Sequence, residues 1–340
     1  MESTDIPCSE VAHPWVEDHR TRVGFGLQVF PSDTKTDPGR HLLAAGQLAE
    51  TLGFDAFFTG DQPSWGLESW LHLAVLAVKT ERIRLGTNVT CIFYRQPVML
   101  ARMAADLDNL SQGRLILGLG CGWDANEFAR FGMPFPPVRE RQEALEEAVT
   151  IIRGVWGAEP FTFSGRYFST TGAHVTPLPL QQPGPPLLIG GGGERVTLGQ
   201  VARYADACNL FSFGTGSVGS GAPTADGIRH KLAVLRQHCD ALGRPFGSVL
   251  RTHITGWLIL AENEAAIQAK LQHYFPDGVE QRFSGPWSGF VFAGTPEQAI
   301  PYYQELVEAG IQYFIVETLD AADEETIRLL AEQVMPAIKR

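Results

Sequence analysis

The run Gly190-Gly191-Gly192-Gly193-Glu194-Arg195 follows the apolar stretch Pro186-Leu187-Leu188-Ile189 and leads into a helical pattern from Thr197. Glycines admit positive φ and let an anion approach backbone N–H groups, and a following helix N-terminus adds partial positive charge. Arg195 would supply a forked, permanent cation. The pattern reads as a seat for a phosphate, or, without a ligand, as a tight strand-to-helix turn.

Three further clusters carry groups able to do chemistry. Thr59-Gly60-Asp61-Gln62 is followed closely by Trp65, and Gly86-Thr87-Asn88-Val89-Thr90-Cys91 ends a short apolar run. Gly118-Leu119-Gly120-Cys121-Gly122-Trp123 precedes Asn126-Glu127. Small residues, amides, a carboxylate and two indoles suit a flat, phosphate-bearing cofactor. Its ring could lie against Gly118, Gly120 and Gly122, or those glycines could serve only close packing. A Rossmann fingerprint fails, because the third glycine position is Trp123 in one run and Arg195 in the other. GxxxxGK[ST], HExxH and GxSxG are absent, and the dispersed histidines suggest no metal site.

These clusters need elements to position them. Eight short β-type runs, Val23–Val29, Ala56–Thr59, Ile83–Asn88, Leu115–Leu119, Pro186–Ile189, Ala207–Phe211, His253–Leu260 and Tyr313–Val316, alternate with helical patterns such as Leu42–Leu52, Pro97–Leu110 and Arg139–Trp156. Eight strand–helix units predict an α/β fold of the (β/α)8 TIM-barrel type, with function at the C-terminal ends of the strands. Residues 21–340 would form this single domain behind an N-terminal extension, residues 1–20, whose composition predicts mobility. Two segments interrupt the alternation, about 159–185 and 274–293. Both are expected as insertions over the barrel mouth, or else as surface cover.

The formal charge of −11 and pI near 5.3 argue against nucleic acid or an anionic membrane as partner. Five scattered cysteines suggest neither a disulfide framework nor zinc and fit a reducing cytoplasm. Residues 1–20 lack the apolar core of a signal peptide, and no apolar run is long enough to span a membrane.

At these residues the chain resembles the luciferase-like flavin and deazaflavin oxidoreductases, the bacterial luciferase superfamily, from about Val23 to Val334. The resemblance is carried by Ile83-Arg84-Leu85-Gly86-Thr87-Asn88-Val89 with Arg95-Gln96-Pro97, by Leu107–Arg114 running into Leu117–Trp123, by Pro186–Arg195, and by Ala202–Ala207. The last two segments are most similar to the branch using coenzyme F420, with FMN as the alternative. The resemblance implies a non-proline cis peptide at Asn88-Val89, and ring or ribityl contacts from Asp61, Thr90 and Gly120-Cys121-Gly122. It implies phosphate contacts from Gly190, Gly191, Gly192, Gly193, Glu194 and Arg195, and a substrate place beside Trp65 and Trp123.

The family's sugar-phosphate dehydrogenases carry His directly after the aspartate and Glu after the GxG run, where this chain has Gln62 and Trp123. Neither side chain serves as a general acid or base, which argues against sugar-phosphate oxidation. Gln62 could still hydrogen-bond a substrate carbonyl, and Glu127 and His174 are the nearby titratable candidates. The implied reaction is hydride transfer between F420 and a small hydrophobic organic substrate with a C=C or C=O bond. An FMN-dependent monooxygenase and a non-catalytic cofactor-binding homologue stand as alternatives. Relatives pair through helices beside the early strands, which implies a homodimer using Leu42–Leu52 and Pro97–Leu110.

Overall fold

The computed structural model describes residues 12–29, 37–64, 66–211, 225–282 and 291–340. Eight strands run parallel: β1 (Gly24–Val29), β2 (Ala56–Thr59), β3 (Arg84–Thr87), β4 (Leu115–Gly120), β5 (Leu187–Gly190), β6 (Ala207–Phe211), β7 (Leu250–Leu260) and β8 (Tyr313–Thr318). Each pairs with the next, and β8 pairs back onto β1, so the sheet closes. This is the expected (β/α)8 barrel. Among the helices around it are α2 (Pro38–Thr51), α3 (Ser69–Lys79), α4 (Pro97–Leu110), α5 (Ala125–Arg130), α6 (Val138–Val155), α7 (Thr197–Tyr204) and α8 (Ala225–Ala241). Proline in the first turn starts α2 and α4, where its missing N–H costs no helical bond.

Alternation along each strand sends every second residue into the barrel. The lower interior is apolar: Ala56, Phe58, Ile116, Leu188, Ala207, Leu250, Tyr313 and Ile315 form one buried cluster. Gly26 and Gly86 flank Phe58, and a Cβ at either would meet its ring at 2.6 Å. One residue pair further along, the interior turns polar, with Gln28, Asn88, Asn209 and Glu317.

The floor is closed by helix α1 (Pro14–Asp18), whose Trp15 is fully buried with its ring 5.5 Å from that of Tyr313. The mobile-extension expectation is therefore corrected for residues 12–20, which belong to the barrel. One indole supplies the apolar area that the surrounding acidic composition concealed. Residues 1–11 lie outside the described residues.

The first insertion also departs from expectation. Its antiparallel hairpin, Phe161–Ser164 with Ser169–Ala173, lies along the outer face of α6. There the Arg166, Tyr167 and Phe168 N–H groups donate to the Glu147 carboxylate, and Phe161 covers Gly154. Gln181 then donates to Asp108 and to the Leu115 carbonyl at the start of β4. Most of this segment is outer-wall cover, and Phe168 at its turn reaches the mouth, its ring 6.3 Å from that of Phe93; His174 is exposed on the segment. Of the second insertion, Val291–Gly294 pairs with the upper half of β7, and residues 283–290 lie outside the described residues. Among the described residues no helix is long and apolar enough to cross a membrane, and no cluster could hold a metal ion.

His253 is fully buried on the helix-facing side of β7, its ring nitrogens without partners among the described residues, and burial pushes its pKa down to about 3. A depressed basic pKa stabilises the fold fully above the unfolded value and progressively less as pH falls through the folded one. Its contribution should shrink by about 2 kcal/mol between pH 6.5 and 5. Urea unfolding of His253→Leu should show a shallower acid-side slope than the parent; parallel slopes would contradict this.

Candidate active site

The expected site residues lie on the ends of adjacent strands β2 to β5. After β2, Asp61 is buried and receives Arg95 Nη1 at 2.5 Å and Nη2 at 3.1 Å, and Arg95 also reaches Glu68. Burial raises the Asp61 pKa, and the Arg95 hydrogen bonds pull against it without reversing the shift. Gln62 is half-buried beside it, and Trp65 lies outside the described residues.

Asn88-Val89 is the expected non-proline cis peptide. The Asn88 amide is held on both sides, donating to Gln28 Oε1 at 2.7 Å and accepting from Asn209 Nδ2 at 2.7 Å. Val89 turns into a hollow left by glycines. A Cβ at Gly118 or Gly190 would meet Val89 Cγ1 at 3.2 Å, and one at Gly120 would meet Cγ2 at 2.7 Å. The expectation of bare backbone at Gly118 and Gly120 is thereby corrected, because a valine from the neighbouring strand end fills that space. Gly122, at φ 77°, faces Phe128 and Cys91 instead. The Thr90 hydroxyl, buried next to Asp61, makes no hydrogen bond of good geometry among the described residues and could serve a bound polar group.

The loop Cys121–Trp123 is pinned from α6. Arg141 donates to the Gly122 carbonyl and lies 4.0 Å over the Phe135 ring, while Gln142 Nε2 reaches Cys121 Sγ at 3.3 Å and Thr197 Oγ1 at 3.4 Å. Gln142 thus ties the β4 rim to the start of α7. Trp123 is 59 % exposed at the rim. Glu127 on α5 is a strut: it accepts from Ser64 N–H at 3.1 Å, Ser64 Oγ at 2.5 Å and Tyr94 OH at 2.6 Å. Both carboxylate oxygens are occupied by structural donors, so the geometry assigns Glu127 to holding the β2 loop rather than to proton transfer.

After β5 the glycine turn has the geometry that an anion needs. Gly191 takes φ 128°, the Leu198 N–H caps the Gly193 carbonyl, and the N–H groups of Gly192 to Val196 have no backbone acceptor among the described residues. A Cβ at Gly192 would meet nothing closer than Lys231 Cε at 3.8 Å. Arg195 is exposed, without an ion pair among the described residues. Glu194 points to α8, accepting from Lys231 Nζ at 2.7 Å and lying 3.3 Å from His230 Nε2. Its carboxylate would repel a phosphate and instead orients Lys231, which leaves the Glu194 N–H as the group for the expected contact. Sequence reasoning missed Lys231, which lies far along the chain, although a lone lysine on an otherwise apolar helical stripe was a signal. Open N–H groups, a roomy glycine and two cations fit the phosphate end of a cofactor.

This chain belongs to the luciferase-like monooxygenase family, whose model matches residues 22–305. It is 27% identical over 331 residues to the F420-dependent glucose-6-phosphate dehydrogenase of Microbacterium testaceum, covering 88% of this chain and 93% of that one. It is 33% identical over 243 residues to the F420-dependent hydroxymycolic acid dehydrogenase of Mycobacterium tuberculosis, covering 66% of each. The fold superposes on the F420-dependent tetrahydromethanopterin reductase of Methanopyrus kandleri with a TM-score of 0.77 at 21% identity, covering 94% of this chain and all of that one.

Proposed function

We propose that the protein is an F420-dependent oxidoreductase acting on a small hydrophobic organic substrate with a C=C or C=O bond. The similarity to F420-dependent dehydrogenases across 88% of the chain carries this reading. Bound F420 would supply hydride chemistry at its ring. The chain's own residues would bind and orient. The Gly191–Arg195 turn with Lys231 holds the phosphate, the Asn88–Thr90 segment backs the ring, and Trp123 covers the substrate and excludes water. With Asp61 paired to Arg95 and Glu127 engaged, alignment supports rate more than acid–base work at the rim.

Titrating the protein with F420 and, separately, FMN while following tryptophan fluorescence tests the reading. F420 should bind at micromolar or tighter affinity, and Arg195→Ala and Lys231→Ala should each weaken it about tenfold, the loss of one charge-assisted contact. Binding of FMN alone would replace this reading with that of a monooxygenase, to be checked by oxygen consumption. F420 binding without turnover across a broad substrate panel would favour a non-catalytic binder.

We also propose a homodimer, with its apolar contact on α3 rather than on α2. The apolar residues Leu42, Ala45 and Ala49 of α2 are buried within the chain, whereas Leu71, Val75 and Val78 lie exposed at helical spacing on α3, with exposed Met99 on α4. Sedimentation should give a dimer that Val75→Asp converts to monomer, and a monomeric parent would remove the proposal.

A further inference from the structure

The barrel interior just beneath the rim carries a one-way chain of hydrogen bonds that the reading above does not use. Thr252 Oγ1 lies 2.9 Å from both the Cys208 carbonyl and Asn209 Oδ1, Asn209 Nδ2 donates to Asn88 Oδ1 at 2.7 Å, Asn88 Nδ2 to Gln28 Oε1 at 2.7 Å, and Gln28 Nε2 to Glu317 Oε1 at 2.6 Å. The chain runs from β7 through β6, the residue that follows β3, and β1 to β8. Each amide's orientation is set by its neighbour, and the last acceptor is a carboxyl group that is 4% exposed. An apolar alternative at any of these positions would leave a partner unsatisfied.

Among the described residues nothing charged faces Glu317. On the flanking strands its register partners are Gln28 and Trp257, and across the barrel stand Asn88, Asn209 and Thr252. The charged rim groups Asp61 and Arg95 pair with each other, and the Asp320 carboxylate beyond the strand accepts from the Ala322 N–H. Burial, with no cation beside it among the described residues, pushes the Glu317 carboxyl up to about 8.

We propose that Glu317 is a positioning residue: as the terminal acceptor of the chain it orients Gln28 and through it the Asn88 amide, so that the Asn88–Thr90 segment stays seated. The proposal deepens the deazaflavin reading and rests on it for the ligand that the segment backs. Glu317→Gln keeps the shape and the acceptor for Gln28, whereas Glu317→Leu keeps the bulk and removes the acceptor. The sequence offered only one hint, a glutamate two residues beyond the inward pair Tyr313 and Ile315.

Affinity for F420, measured by fluorescence, should weaken about tenfold in Glu317→Leu and stay near that of the parent in Glu317→Gln. An affinity that Glu317→Leu leaves unchanged, or that Glu317→Gln lowers as far as Glu317→Leu does, would overturn the proposal. If the parent binds no F420, the deazaflavin reading fails, and a ligand-free measurement decides this one. Hydrogen exchange of the peptide spanning residues 85–94 should show protection lost in Glu317→Leu and kept in the parent and in Glu317→Gln. Equal protection in all three proteins would sink the proposal.

Discussion

Replacing Arg95 by alanine is expected to destabilise the protein by roughly 3–5 kcal/mol, the usual consequence of removing one partner from a buried pair. Asp61 would keep its burial and lose both guanidinium donors, and its pKa, already raised, would rise further. An acid with a raised folded-state pKa is penalised as pH climbs from the unfolded value through the folded one. The deficit in Arg95→Ala should therefore be largest at neutral and alkaline pH and shrink on acidification. Urea unfolding across pH measures this, and the double variant Asp61→Asn/Arg95→Ala should recover much of the loss. A deficit below about 1 kcal/mol, or one independent of pH, would show that Asp61 is not the group Arg95 compensates. The same variant should weaken F420 binding, because Asp61 and Thr90 share one corner of the site.

Gly118→Ala is the second large effect. An added Cβ would overlap the Thr87 carbonyl oxygen and press on Val89 Cγ1 at 3.2 Å. The obstacle is backbone of a neighbouring strand, so no rotamer change relieves it. Overpacking of this kind costs about 3 kcal/mol. Gly247→Ala is the control, since its added Cβ meets nothing within 4 Å. If the two substitutions shift the urea midpoint equally, the close approach of β4 to the Asn88–Val89 segment is not as described. Where Gly118→Ala still folds, F420 affinity should fall with stability, because Thr87 leads directly into that segment.

Much of this protein is determined by its amino-acid sequence alone. Eight β-type runs alternating with helical stripes leave little choice but a parallel barrel, because each crossover helix must bury its apolar face on a closed sheet. Observed strand bounds differ from expectation mainly at their ends, where pairing rather than pattern sets the limit. Local chemistry is legible too: four glycines before a helix announce their turn, because the backbone freedom they confer belongs to the residues themselves.

Tertiary structure decided what depends on neighbours distant in sequence. Gly118 and Gly120 look alike as ligand platform or packing space until Val89 is seen filling the hollow. Glu127 looks catalytic until Ser64 and Tyr94 are found on its oxygens. Trp15 hides in an acidic lead-in, Lys231 approaches the glycine turn from another helix, and Glu317 meets Gln28 across 289 residues of chain. Charge and hydrogen-bonding capacity are properties of a residue, whereas burial and partnership are properties of a place. A carboxyl group acts as strut, ion-pair partner or neutral acid according to what the fold sets against it.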